Sequence, residues 1–245
     1  MHDIKSEYLT LPPEFDIPLD LQSALIEHLT PFVTPRRRWR IDTVLSQRTR
    51  YVTVALENLH KPHNASAIIR SCDSFGVQDV HIIDTMKQFM LKRTATSGAH
   101  QWITSEFYNE FEENRPNVAA CIDNLHAKGY RVAATTLRPD TKPLHELSLD
   151  SKVALLFGTE LYGLTDEAHE LADEFVQIPL RGFTDSLNIS VAAAICCSNL
   201  TNRARLEGRD WRLTSAEKQR LTLQWMLATL ERADEILAHF IQNHS

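Results

Sequence analysis

The chain has 245 residues, 43% of them apolar, which is enough for one substantial core with appendages. No stretch approaches the ~20 apolar residues of a membrane span, and the opening MHDIKSEYLTLPPEF has neither a basic start nor a hydrophobic signal segment, so a soluble cytoplasmic protein is expected. The net charge of −6 argues against a uniformly basic surface, yet residues 1–35 hold six acids and one base whereas 36–50 hold six arginines and one aspartate.

Pro12, Pro13, Pro18, Pro31 and Pro35 punctuate residues 1–35, which read as an extended N-terminal extension with one short helix, Leu19 to Leu29. From Arg36 a helix is expected to about Gln47. Trp39, Ile41, Val44 and Leu45 would face partly inward, leaving Arg36, Arg37, Arg38 and Arg40 in water. Four cations so close together repel one another unless an anion is near. A phosphate-binding stripe and a solvated face both fit the pattern, and Trp39 either stacks on a base or anchors the helix.

Tyr51 to Leu56 (YVTVAL) reads as a strand that delivers Glu57, Asn58, His60, Lys61, His63 and Asn64 to a rim. Asn64 suits the N-cap of a helix from Ala65 to about Phe75, with Gly76 just past its end. Ile68, Ile69, Cys72 and Phe75 would pack while Arg70 points away. Gln78 to Ile83 is the next strand, so strand–helix–strand implies a parallel crossover. Lys87 to Trp102 is less regular; its Lys92 and Arg93 either meet phosphate or sit in a solvated loop. A helix over Val118–Lys128 and a strand over Arg131–Thr135 follow.

Val153 to Phe157 is the continuous apolar run of a buried parallel strand, ending at Gly158 and Glu160, and Thr165, Asp166 and Glu167 open a helix. Phe175 to Ile178 makes a last strand. The loop after it carries Pro179 and Gly182, then Ser186, Leu187, Asn188 and Ser190 at the start of a helix running to Arg205, a place where unpaired main-chain donors hold polar ligands. Thr214-x-x-Glu217 is a capping box before a helix to about Gln242. The alternation of strands and helices means α/β. Cys72, Cys121, Cys196 and Cys197 have no C-x-x-C spacing and read as reduced core residues. His60 and His63 lack partners of suitable spacing, so no metal is expected; His63 reads as an RNA contact or a rim hydrogen bond.

Three stretches, NLHKPHNASAIIRSCDSFG, FGTELYG and IPLRGFTDSLNIS, resemble in order the three motifs of the SpoU/TrmH family of RNA 2′-O-ribose methyltransferases. Asn64, Arg70, Gly76, Gly158, Glu160, Gly163, Pro179, Gly182, Ser186, Leu187, Asn188 and Ser190 fall on motif positions, and the likeness spans roughly residues 36–212. No glycine-rich turn follows Leu56, which argues against an ordinary dinucleotide-type fold.

The resemblance implies the SPOUT fold, a parallel α/β sheet with a deep C-terminal trefoil knot. The domain would run over 36–214, with 1–35 before it and a C-terminal helix, 215–245, after it. It further implies S-adenosylmethionine bound by the loops near Thr135, Gly158, Ile178 and Leu187, with Ile178, Leu180 and Leu187 around the adenine. Leu180 stands where the family often has methionine, a change that keeps volume and polarity. Arg70 falls on the family's catalytic position, with Asn64, Glu160, Ser186 and Asn188 as further site residues. Arginine is effectively always protonated, so Arg70 either accepts the ribose proton at a large cost or positions phosphate and ribose. Homodimerisation and tRNA binding through the flanking helices are implied too. The wording around Asn64 is nearest the branch that methylates a guanosine in the tRNA D-loop; a ribosomal-RNA enzyme and a silent RNA-binding protein are the rivals.

Overall fold

The computed structural model describes residues 17, 19–85, 89–109 and 117–244; the expected N-terminal arm, up to Asp16, and Lys87 lie outside them. Thr49–Trp211 is one compact unit, and the described residues before it together with those from Arg212 onward are another.

In chain order, α1 (Leu19–Leu29) and α2 (Pro35–Leu45) come first. The Thr34 hydroxyl accepts from the Arg37 amide at the start of α2, and Pro35 occupies a first-turn position that needs no amide donor. Ile41 and Leu45, one turn apart, fill the buried face. Trp39, expected partly inward, is instead 64% exposed, because two residues before Ile41 is about 200° around the helix. Arg36, Arg37 and Arg40 are exposed, whereas Arg38 is half-buried, its Nε 3.2 Å from Asp42 and its Nη1 3.1 Å from the Met226 sulfur.

The second unit runs β1 (Val52–Glu57), α3 (Pro62–Phe75), β2 (Asp79–Ile83), α4 (Arg93–Thr96), β3 (Thr104–Tyr108), α5 (Asn117–Ala127), β4 (Tyr130–Thr135), β5 (Lys142–Pro143), β6 (Lys152–Phe157), α6 (Asp166–Leu171), β7 (Glu174–Gln177) and α7 (Ile189–Leu206). Its strands form one seven-stranded sheet in the order β3-β2-β1-β6-β4-β7-β5, and every described pairing is parallel. β6 is central, with Val52 opposite Val153 on one side and Tyr130 opposite Lys152 on the other. Alternate residues serve opposite faces. Val52, Val54, Leu56, Val153, Leu155 and Phe157 pack with α3 and α7, while Ala55, Ala154, Leu156, Val132 and Ala134 pack with α5 and α6. The four cysteines are free and buried in these two layers.

The local structure departs from or adds to the expected one at four points. Helix α3 starts at Pro62 with Lys61 as its N-cap, so Asn64 lies inside the first turn and is buried rather than capping; the fixed φ of Pro62 makes it the better starter. β3 and β5 carry no apolar run because both are sheet edges, and β5 is a two-residue bridge ending in a proline. Part of the irregular segment before β3 is ordered by Ser66, whose Oγ accepts from the Lys92 amide at 2.8 Å. Glu57, expected on a rim, is 2% exposed.

After Trp211 come α8 (Ser215–Leu227), with the expected Thr214–Glu217 capping box, and α9 (Ala233–His244). The single long helix expected here is broken between them. The Thr229 hydroxyl donates to the Met226 carbonyl at 2.7 Å, a local bond that competes with helix continuation, while the apolar periodicity runs through the break unmarked. α1 and α2 pack against α8, and the rings of His28 and Phe240 lie 5.3 Å apart. Among the described residues no helix is long and apolar enough to cross a membrane.

One buried polar cluster makes stability depend on pH. His81 on β2 is 1% exposed, with Nδ1 3.3 Å from the Tyr108 hydroxyl and 3.5 Å from Glu106 Oε2, and Lys128 pairs with Glu106. Burial pushes the imidazole down to about 4, against the neighbouring Glu106 charge that pulls it up. The unfolded chain takes up this proton below about pH 6.5 and the folded chain resists it until about pH 4, so His81 costs stability as pH falls through that window. Its contribution is about 3 kcal/mol. Urea unfolding of His81→Gln at pH 7 and pH 4.5 is expected to show a shallower loss than the wild type; equal slopes would mean that His81 titrates normally.

Candidate functional site

The carboxyl ends of β4, β6 and β7 open onto one cavity of about 410 Å³. It lies outside the carboxyl ends of parallel strands, where ligands of open α/β sheets bind. Thr135, Gly158, Ile178, Leu180 and Leu187, the five residues expected around a cofactor, all line it, together with Glu160 and Ser186. Thr135 donates through Oγ1 to the Leu156 carbonyl at 2.9 Å and so ties the end of β4 to β6.

The loop after β6 is folded back on itself. Thr159 and Gly163 exchange main-chain hydrogen bonds of 2.8 and 3.0 Å, and Gly163 has a φ of +70° that side chains avoid. A Cβ on Gly158 would overlap the main chain of Gly163 and Leu164. The far end of this loop is held from below by Glu57: Oε2 accepts from the Thr165 amide at 2.9 Å and Oε1 from the Thr165 hydroxyl at 2.6 Å. Thr165 in turn accepts from the Ala168 amide, capping α6. His169, on the same helix, lines the cavity with Nδ1 2.9 Å from the Thr165 carbonyl and Nε2 3.1 Å from Thr136 Oγ1. A carbonyl only accepts, so Nδ1 carries the proton and Nε2 accepts from Thr136. These links from α6 to the β1 and β4 ends escaped the sequence reading; the only signal was polar residues placed at the ends of apolar strands.

A second junction lies at the loop tip. Glu160 Oε2 pairs with the Lys61 ammonium, and Oε1 accepts from Asn188 Nδ2 at 2.7 Å. The same amide nitrogen is 3.2 Å from Asn64 Oδ1, while Asn188 Oδ1 accepts from the Ser190 amide at 2.9 Å and hydroxyl at 2.6 Å, capping α7. The hydrogen bond from Lys61 above all, opposed by desolvation and helped by a lesser hydrogen bond from Asn64, holds the Glu160 carboxyl below the usual carboxylate range. Asn64, Glu160, Asn188 and Ser190, drawn from three distant stretches, therefore form one network.

Arg70 is not in that network. It lies six residues beyond Asn64, on the exposed side of α3, and its guanidinium makes no hydrogen bond or ion pair among the described residues. Asn64 thus meets Asn188 and Glu160. His63 is exposed in the first turn of α3, and Arg36, Arg37, Arg38 and Arg40 belong to the other unit. Among the described residues no group of three His, Cys, Asp or Glu side chains is arranged to hold a metal ion.

A sequence model of the SpoU rRNA Methylase family matches residues 51–198, more than half of the chain. A tRNA (guanosine(18)-2′-O)-methyltransferase of Borreliella burgdorferi is 40% identical over 197 residues, covering 80% of this chain and 87% of that protein. Among solved structures, the A. aeolicus TrmH/SpoU tRNA modifying enzyme is similar with a TM-score of 0.69 at 27% identity, covering 78% of this chain and 95% of that one. An AdoMet-bound rRNA methyltransferase from Sinorhizobium meliloti is similar with a TM-score of 0.54 at 28% identity, covering 65% of this chain and 58% of that one. Since the matched residues take in every strand of the sheet and the cavity's three loops, the chain belongs to the SpoU rRNA Methylase family.

Proposed function

We propose that this protein transfers a methyl group from S-adenosylmethionine to the ribose 2′-hydroxyl of a guanosine in the D-loop of tRNA. The observation that carries the reading is the junction of Glu160, Asn188 and Asn64 beside a cavity of about 410 Å³, within the ~300–1,000 Å³ of ligand sites. The 40% identity to a tRNA (guanosine(18)-2′-O)-methyltransferase supports this substrate over ribosomal RNA. Ribosomal RNA is the second reading, favoured by the likeness to the S. meliloti enzyme.

The cavity fits the cofactor. Ile178, Leu180 and Leu187 offer apolar walls for an adenine, and the close approach at Gly158 keeps main-chain groups facing the space. When bound, S-adenosylmethionine supplies a methyl group already activated on a sulfonium, so the chain needs no nucleophile of its own. Its task is alignment and removal of one proton. Arg70 holds an RNA phosphate and the ribose and steadies the oxygen as its proton passes to solvent water. Ser186 and Asn188 border the nucleotide, and Glu160 fixes the loop that carries it. Arg36, Arg37, Arg38 and Arg40, with His63, contact the tRNA backbone, Arg38 less than the others because Asp42 already engages it.

We further infer that the segment after β7 passes through a preceding loop to make a trefoil knot, that the protein works in the cytoplasm, and that it is a homodimer. Exposed Val191 and Ile195, one turn apart on α7, support a second copy on this helix face, since exposed apolar surface marks an interface.

Three outcomes are expected. Labelled methyl groups should appear as 2′-O-methylguanosine in the tRNA D-loop, and Arg70→Ala should lower the rate by about 10²–10⁴-fold while S-adenosylmethionine binding by calorimetry is unchanged, because Arg70 does not line the cavity. Label in ribosomal RNA alone would move the substrate, and label in neither RNA would leave a silent binder. Gly158→Ala should abolish cofactor binding while circular dichroism still shows the α/β fold; full affinity would sink the proposed placement. Light scattering of Val191→Glu/Ile195→Glu should give the mass of one chain where the wild type gives two, and an unchanged mass would remove α7 from the interface.

A further inference from the structure

Lys61, which closes the outer end of the Glu160 junction, is left without a task in the methyl transfer. We propose that Lys61 is a positioning residue for methyl transfer: its ammonium cancels the Glu160 charge where the anionic substrate enters and holds that carboxyl on the Asn188 amide. This rests on the function proposed above.

The main chain that presents Lys61 is fixed on both sides. Asn58, in the left-handed region at a φ of 52°, accepts through Oδ1 from the Thr85 amide at 3.1 Å and hydroxyl at 2.7 Å. Three residues later Lys61 caps α3, and Pro62 sets the helix direction. From this fixed base the side chain reaches across to the loop after β6. Lys61 is 72% exposed and Glu160 only 23%, so the ammonium forms the wet side of the pair.

The carboxyl is held by Lys61 on Oε2 and Asn188 on Oε1, with a further hydrogen bond from Asn64. Asn188 has no freedom to turn over, because its Oδ1 is claimed by the Ser190 amide and hydroxyl and only its nitrogen can donate to Glu160. The order of support is therefore Lys61, Glu160, Asn188 and the start of α7. An exposed ion pair contributes only about 0–1 kcal/mol to folding, so a stabilising role is too small to account for this arrangement. Without Lys61 an ionised Glu160 would face a polyanion. Repulsion and a loosened Asn188 would then act together on the same bound nucleotide.

A simpler role for Lys61, direct contact with a phosphate, predicts different numbers. The test uses the full chain as wild type, Lys61→Met, Glu160→Gln, the double variant and Lys61→Arg. Each is assayed for methyl transfer to tRNA, for tRNA dissociation constant across a salt series, and for S-adenosylmethionine affinity. Lys61→Met is expected to lower kcat/KM about 10-fold or more, with the double variant no worse than Glu160→Gln alone and Lys61→Arg within about threefold of wild type. Cofactor affinity should stay within about twofold. Additive losses, or a fall of about 0.7–0.9 in the salt slope that persists beside Glu160→Gln, would overturn the proposal in favour of a phosphate contact. An unaffected Lys61→Met would overturn it outright. A wild type that methylates no tRNA would overturn the parent reading alone; the coupling of Lys61 to Glu160 is then read in the tRNA dissociation constants, where additivity counts against it equally.

Discussion

The bond from the buried Glu57 carboxyl to Thr165 is the constraint on which the site depends. A carboxyl taken out of water must have its oxygens satisfied or it destabilises the fold, and here both oxygens are given to one residue 108 positions away. That residue also caps α6. The end of β1 thereby fixes where the loop after β6 terminates, and the fold-back between Thr159 and Gly163 then leaves its tip one place to go. Lys61, Asn64 and Asn188 meet it there.

The same economy of space governs α3 and α7. Their interface is lined by small side chains, Ala65, Cys72, Ala193 and Cys197 among them, and Cys72 lies close enough to Cys197 that their contact, with burial, pushes the Cys197 thiol well up. Close packing of two helices on one sheet face brings the first turn of α3 and the first turn of α7 to the same mouth, and this is what makes Asn64 and Asn188 neighbours. Gly158 is the backbone counterpart: no side chain fits, so the strand end can turn directly over the cavity.

Much of this was legible in the sequence because burial writes a pattern. The run Val153–Phe157 announces a central strand since both of its faces are covered, and the Thr214–Glu217 box declares its own helix start. Edge strands write nothing comparable: TSEFY in β3 has one buried residue among four half-buried ones and looks like a loop. The misplaced cap at Asn64 arose from two good helix starters two residues apart, of which proline won. For the site, residues in the three motif stretches could be gathered onto one ligand by resemblance alone. Glu57 with Thr165 and His169 with Thr136 could not, because a hydrogen-bond partner chosen by tertiary placement leaves no trace at fixed spacing. Arg70 was legible as an exposed helix residue but not as one separate from the Asn64 network.

The central place of β6 also bears on how the chain is made. Both neighbours of this strand, β1 and β4, precede it in the sequence, so a chain emerging from its N-terminus has the β3-β2-β1 sheet with β1 as an open edge, and β4 without a strand partner, until Lys152–Phe157 appears. Open strand edges invite wrong partners, and pairing across about a hundred residues is slow. The most apolar strand is thus the keystone laid late, and ribosome pausing before residue 152 would lengthen the interval in which nascent chains stick to one another.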